Sequence, residues 1–150
     1  MPAPAFTLPS DTGARVALKS LRGEWVVLYF YPEDDTDVCT AQACSFREVW
    51  AEVKEAGITV LGVSPDGVES HASFRKKFKL PFTLLADVDH AVAKAYGAWG
   101  EKTLYGNTFV GMHRNAVLID AAGKVAKIFT SVRSKGFAGR MVKAVAALKG

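Results

Sequence analysis

Residues 26–44 read VVLYFYPEDDTDVCTAQAC, and the change of pattern within them predicts the fold class. The first six residues are aliphatic or aromatic without interruption, which is typical of a strand buried on both faces. Pro32 ends this strand, and an acidic polar turn follows it. From Cys39 the apolar residues recur every three or four positions, which predicts a helix to about Ala56, with Gly57 as its C-cap. The junction between the carboxyl end of a buried strand and the helix that follows it is where α/β proteins place their ligand-binding and active sites.

The rest of the chain continues this alternation of strands and helices. Buried or short strands are predicted at 58–63, 82–85 and 116–119, and helices at 68–78, 91–96 and 137–148. Residues 6–8 and 15–18 flank a Ser-Asp-Thr-Gly turn, which predicts an N-terminal β-hairpin. A strand at 125–129 closes the chain's last hairpin. We expect an α/β fold with a mixed central β-sheet flanked by helices, and one domain over residues 1–150.

Composition and charge restrict the classes of partner. The chain has 150 residues, of which 49% are hydrophobic, and a net charge of +4. No apolar run approaches the roughly 18 residues that span a bilayer. Residues 1–5 lack the cationic and apolar segments of a secretory signal, so we expect a cytoplasmic protein without membrane contact. Residues 121–150 carry seven Lys or Arg and no Asp or Glu. Aromatic residues do not alternate with these cations as they would on a surface that binds single-stranded nucleic acid, so we expect a solvated face and no nucleic-acid partner.

The cysteine and histidine pattern argues against a metal site or a disulfide scaffold. The two cysteines are Cys39 and Cys44, too few for a stapled secreted domain or a four-thiolate zinc site. The three histidines stand singly, without the i, i+4 spacing of a helical metal pair. We therefore expect no metal site.

Cys39 is the candidate nucleophile because it lies near the start of the predicted helix. Free backbone N–H groups and the helix dipole favour an anion there, and the thiolate is the reactive form of cysteine. Thr36 precedes it by three residues, and its hydroxyl can bond either a thiolate or a substrate oxygen. Pro32 fixes the turn and shields one side of it.

Three carboxylates between the strand and the helix oppose this chemistry. Asp34, Asp35 and Asp37 would repel a thiolate if they faced it. The interpretation of Cys39 as a nucleophile therefore requires all three side chains to point to solvent.

The spacing of Cys39 and Cys44 leaves two interpretations open. Five residues in an intact helix separate Cα atoms by roughly 8–9 Å, whereas a disulfide needs less than about 7 Å. The two thiols can pair only if the first turns of the helix unwind. They are otherwise small buried apolar residues.

The sequence resembles the peroxiredoxin family. Residues 32–39, PEDDTDVC, match the P-x-x-x-T-x-x-C signature, and residues 39–47 are similar to the bacterioferritin comigratory protein, or Q-type, branch. The likeness continues at residues 3–8, 29–32, 62–64, 84–87, 96–97, 113–114 and 117–123. That branch usually has Pro-Gly where this chain has Asp37-Val38.

The resemblance implies a thioredoxin-like fold and the reduction of hydrogen peroxide and alkyl hydroperoxides without a cofactor. It implies that Cys39 is the peroxidatic cysteine and that Cys44 resolves its sulfenic acid as an intramolecular disulfide. It makes Pro32 and Thr36 the framework of the active site, and Arg114 the arginine beside the thiolate.

The same resemblance implies a thioredoxin-like dithiol protein as the reductant. The chain lacks a C-terminal resolving cysteine, so catalysis needs no dimer, and we expect a monomer. Two other functions are compatible with a pair of thiols. One is a protein thiol–disulfide oxidoreductase, against which the absence of C-x-x-C counts. The other is a redox-sensing binding protein.

Overall fold

The computed structural model describes residues 2–130 and 132–149, so that Met1, Ser131 and Gly150 lie outside it. The strands are β1 Thr7–Pro9, β2 Arg15–Ala17, β3 Trp25–Phe30, β4 Ile58–Ser64, β5 Thr83–Ala86, β6 Trp99–Leu104, β7 Asn107–Met112, β8 Ala116–Ile119 and β9 Val125–Phe129. The helices are α1 Asp37–Glu48, α2 Trp50–Glu55, α3 Val68–Phe78, α4 Ala91–Ala95 and α5 Phe137–Lys149.

A mixed sheet of five strands, in the order β5-β4-β3-β8-β9, forms the centre of the fold. Strands β3, β4 and β5 are parallel, whereas β8 and β9 each run antiparallel to their neighbour. The predicted mixed sheet is confirmed, as is the N-terminal hairpin, in which β1 pairs antiparallel with β2.

The uninterrupted apolar run of β3 follows from its central position, because both of its faces are covered. Val27 and Tyr29 face the layer that contains α1 and α5. Leu28 and Phe30 face the opposite layer, which contains the N-terminal hairpin and α4. All four side chains are at most 1% exposed. Such burial is worth roughly 1.5–3 kcal/mol for each side chain, which fixes the end of β3 and the loop that follows.

The prediction of one helix from Cys39 to Ala56 is wrong. The chain bends at Val49, whose φ of −116° and ψ of 26° separate α1 from α2. Helix α1 packs against α5, whereas α2 packs against β4. The bend therefore allows the two helices to pack against different elements. Gly57 follows α2 with a φ of +70°, a conformation that glycine adopts without strain.

The hairpin of β6 and β7 has no counterpart in the sequence predictions. Its two strands pair antiparallel around Tyr105 and Gly106, which both have positive φ. Most of its side chains with a described burial are exposed, so no alternation of apolar and polar residues marks it. The hairpin leads directly into Arg114. No helix in the described ranges combines the length and apolarity needed to cross a membrane.

Candidate active site

Cys39 is the third residue of α1 and lies beneath the surface at the end of β3. Its side chain is 1% exposed. Thr36 is the N-cap of the helix, and its carbonyl accepts the backbone N–H of Thr40 at 2.8 Å. The sulfur therefore lies in the first turn, where unpaired N–H groups and the helix dipole favour negative charge. Both cysteines are free thiols.

Arg114 is placed against Cys39 by the sheet. It precedes β8, which runs antiparallel to β3, so the start of β8 lies beside the end of β3. The carbonyl of the next residue, Asn115, accepts the N–H of Phe30 at 2.8 Å. The Arg114 guanidinium Nη1 then reaches Cys39 Sγ at 3.2 Å. A guanidinium at this distance stabilises a thiolate and any negative charge that develops on a peroxide oxygen.

Gln42 belongs to the site, although the sequence analysis did not single it out. It lies one turn after Cys39 in α1, it is 1% exposed, and its Oε1 accepts from Arg114 Nη1 at 3.4 Å. Its Nε2 finds no hydrogen-bond partner among the residues that the structure describes. The helical spacing from Cys39 was the available signal, because a residue three positions later shares the face of the nucleophile.

Lys102 is a second cation near the site that the sequence analysis did not identify. It projects from β6, and its ammonium donates to the Met112 carbonyl at 2.7 Å. Burial lowers the pKa of Lys102, and the neighbouring charge of Arg114 lowers it further. Lys102 and Arg114 line a shallow pocket together with His113 and Val132. No pattern in the sequence indicated Lys102, because its strand was not predicted.

Thr36 and Pro32 take the positions expected for the loop between β3 and α1. Both are half-buried. The Thr36 hydroxyl donates to the Glu33 carbonyl at 3.2 Å, so its proton is engaged in this hydrogen bond. Its oxygen lone pairs remain available as acceptors.

The requirement that all three loop carboxylates point to solvent is wrong for one of them. Asp35 and Asp37 are exposed, and Asp35 pairs with Lys77 at 2.7 Å. Asp34 is buried, because its carboxylate is held by Tyr31, Ser70 and His71. A carboxylate with three partners is stable away from water, which is why this one turns inward.

One group of side chains in the described parts of the chain has potential metal-ligand atoms within 4.8 Å of one another, namely Asp34, Asp66 and His71. These atoms already have protein partners. Asp66 Oδ2 accepts from the Asp34 backbone N–H and from the Ser64 hydroxyl, each at 2.7 Å. The group is therefore arranged as a hydrogen-bonded cluster.

Cys44 is half-buried one and a half turns after Cys39 and packs against the core. The helix between them is continuous. Tyr29 lies close enough to both sulfurs and to Asp34 for their charges to act on it. Burial raises the pKa of Tyr29 well above its usual value, and negative charge on these neighbours raises it further. The phenol therefore stays protonated beside Cys39.

Comparison with known proteins agrees with this geometry. The AhpC/TSA family matches residues 1–128. A putative peroxiredoxin Bcp of Coxiella burnetii is 44% identical over 140 residues, 93% of either chain. Peroxiredoxin Bcp of Escherichia coli K12 is 45% identical over 132 residues, 88% of this chain and 85% of that one. The solved structure of a bacterioferritin comigratory protein from Xanthomonas campestris, described for its alkyl peroxide reduction activity, has a TM-score of 0.90. It is 33% identical and covers 95% of this chain and 90% of its own.

The thioredoxin-like sheet, the buried thiol in the first turn of the helix after its central strand and the comparisons together identify the class as a thiol peroxidase. The chain belongs to the AhpC/TSA family, in its Bcp, or Q-type, peroxiredoxin branch. It is an oxidoreductase that reduces peroxides with thiols.

Proposed function

We propose that Cys39 is the peroxidatic cysteine for hydrogen peroxide and alkyl hydroperoxides, with Arg114 as its electrostatic partner. The contact of 3.2 Å between Arg114 Nη1 and Cys39 Sγ carries this proposal. The Cys39 thiolate attacks the terminal hydroxyl oxygen of the peroxide, the O–O bond breaks, and the alkoxide or hydroxide leaves and takes up a proton. The sulfur is oxidised to sulfenic acid as the peroxide is reduced to alcohol or water.

Arg114, Thr36 and Pro32 shape the space in which this step takes place. The guanidinium carries a permanent charge and several donors, so it can hold the thiolate and a peroxide oxygen together. Thr36 offers an acceptor for the peroxide proton. Pro32 contributes no N–H to the loop and closes it without a competing donor.

Cys44 resolves the sulfenic acid after part of α1 unwinds. Its thiol attacks the Cys39 sulfur, water leaves, and a disulfide forms. In the intact helix their Cα atoms are roughly 8–9 Å apart, which exceeds the limit of about 7 Å. The helix is fixed just beyond Cys44, since the Ser45 hydroxyl donates to the Gln42 carbonyl at 2.6 Å and accepts from the Ala138 N–H at 3.2 Å. Unwinding therefore concerns the turns between Asp37 and Cys44.

A thioredoxin-like dithiol protein then reduces the disulfide and restores both thiols. Because both cysteines belong to one helix, the cycle is complete within one chain, and we expect a monomer. We also expect residues 1–150 to form a single domain and the protein to be cytoplasmic. No metal or organic cofactor takes part.

The test is peroxide consumption in a system of thioredoxin, its reductase and NADPH, with Cys39→Ser as the matched variant. The proposal expects turnover with the native chain and none with Cys39→Ser. Appreciable activity of Cys39→Ser would contradict the assignment. A protein thiol–disulfide oxidoreductase would instead reduce protein disulfides without fast peroxide consumption, and the 1% exposure of Cys39 disfavours attack on so large a substrate.

A further inference from the structure

Asp34 and His71 form a buried pair beside the active-site loop, and the peroxide chemistry leaves it unused. Asp34 Oδ2 lies 2.7 Å from His71 Nδ1, and the two side chains are 3% and 0% exposed. Asp34 lies in the loop five residues before Cys39, whereas His71 belongs to α3. The pair therefore ties the loop that leads to the nucleophile to a separate helix.

The hydrogen bonds around the pair define its protons. The Leu85 carbonyl lies 2.8 Å from His71 Nε2, and because a carbonyl only accepts, Nε2 carries a proton. Asp34 accepts from the Tyr31 hydroxyl at 2.6 Å and from the Ser70 hydroxyl at 2.8 Å. The contact of 2.7 Å between Asp34 Oδ2 and His71 Nδ1 completes the set of partners that hold this carboxylate.

The loop depends on such outside contacts. Asp35 has a φ of +59°, which is unfavourable for a residue other than glycine. The Asp34 backbone N–H donates to Asp66, and Lys77 of α3 pairs with Asp35. Contacts from α3 and from the loop after β4 thus hold this segment, while packing against α5 holds the far end of α1.

We infer that the Asp34–His71 pair is a positioning device that limits how often the first turns of α1 unwind. The inference rests on the proposed function, in which unwinding precedes the Cys39–Cys44 disulfide. Thr36 directly follows the tethered segment, and its carbonyl accepts the first bond of the helix. Release of the loop removes the fixed position of this N-cap, so the turn that carries Cys39 frays more often.

The two chemical steps respond differently to such a release. Peroxide attack requires the wound helix, and its rate follows the wound fraction. Disulfide formation requires the unwound helix, and its rate follows the unwound fraction. While the unwound state is the minor one, a tenfold rise in its population speeds disulfide formation about tenfold and changes peroxide attack by less than about twofold.

The experiment compares Asp34→Ala with Asp34→Asn. The amide of Asp34→Asn can donate to His71 Nδ1 and to the Ser70 hydroxyl while its oxygen accepts from Tyr31, so the tether survives without charge. Each reduced variant is mixed with one equivalent of hydrogen peroxide and quenched at successive times in dimedone. The intact mass of the protein is then measured by mass spectrometry. The dimedone adduct counts the sulfenic acid, and the loss of two hydrogens counts the disulfide.

The inference expects disulfide formation about tenfold faster in Asp34→Ala, peroxide attack within about twofold of native, and both rates near native in Asp34→Asn. Ser70→Ala removes one hydrogen bond to Asp34 and should increase the rate of disulfide formation by a smaller factor. This variant replaces Asp34→Ala in the experiment if Asp34→Ala does not fold. Tyr96→Phe removes the hydrogen bond from the Tyr96 hydroxyl to the Pro4 carbonyl, at 2.6 Å on the opposite side of the sheet from α1 and α3, and controls for a general loss of stability.

Native rates of disulfide formation in both Asp34→Ala and Ser70→Ala would overturn the inference, and so would equal acceleration in Asp34→Asn or Tyr96→Phe. In each of these cases the proposed function stands, because the native chain still forms its disulfide. If the native chain forms no disulfide with peroxide, the proposed function fails, and the inference fails with it.

Discussion

Replacement of Arg114 by glutamine tests the proposed electrostatic partner of the nucleophile. The change removes the charged hydrogen bond from Nη1 to Cys39 Sγ at 3.2 Å, together with the longer one from Nη1 to Gln42 Oε1 at 3.4 Å. A hydrogen bond to a charged group contributes about 1.5–3 kcal/mol, and each 1.36 kcal/mol is tenfold in rate. Because Cys39 is 1% exposed, water cannot take the place of the guanidinium. The second-order rate constant for peroxide should fall by about 13- to 160-fold.

The rate constant is measured by stopped-flow competition for hydrogen peroxide against a reporter peroxidase. Arg114→Lys keeps the charge and loses the planar donor group, so it should lose less than Arg114→Gln. Arg22→Gln is the matched control, since Arg22 is exposed before β3, at the opposite end of that strand from Cys39. A loss of less than about threefold in Arg114→Gln would refute the reasoning, because no charged hydrogen bond is worth so little.

Three further predictions concern the resolving step and the core. Cys44→Ser should react once with peroxide and stop at a sulfenic acid trapped by dimedone; normal cycling with a dithiol protein would remove Cys44 from its assigned role. Gly62→Ala should lower the free energy of unfolding by about 1–3 kcal/mol in urea, because its new Cβ would lie 3.0 Å from Leu84 and from the Tyr29 ring; unchanged stability would mean that this contact relaxes freely. Tyr29→Phe should leave stability unchanged or raise it slightly, because the buried hydroxyl finds no partner in the described ranges, and a loss above about 1 kcal/mol would contradict this.

The sequence predicted the elements whose burial is complete and regular. The apolar run of β3 and the helical pattern after Cys39 follow directly from a sheet covered on both faces. The bend at Val49 could not be predicted from the sequence, because the helical spacing of apolar residues continues through Val49. Only the surfaces against which the two helices pack differ. The β6–β7 hairpin was missed because strands exposed on both faces need no apolar alternation.

The candidate site residues that are close in sequence to Cys39 were easier to predict than those that are distant in sequence. The positions of Cys39, Cys44 and Thr36 follow from the strand-to-helix junction. Arg114 is 75 residues away from Cys39, so only the resemblance to a family indicated it. The inward turn of Asp34 was not predictable, because its partner His71 comes from α3, and a single histidine in a helix carries no signal of what it faces.

Peroxide should join Cys39 to Cys44 by a disulfide within one chain. The free thiols of the reduced protein are counted before and after addition of one equivalent of hydrogen peroxide, and the intact mass is measured. Both thiols should disappear, the chain should lose two hydrogens, and the mass should remain that of one chain. Thiols that survive prolonged peroxide would contradict the activation of Cys39, and disulfide-linked pairs of chains would contradict the resolution within one helix.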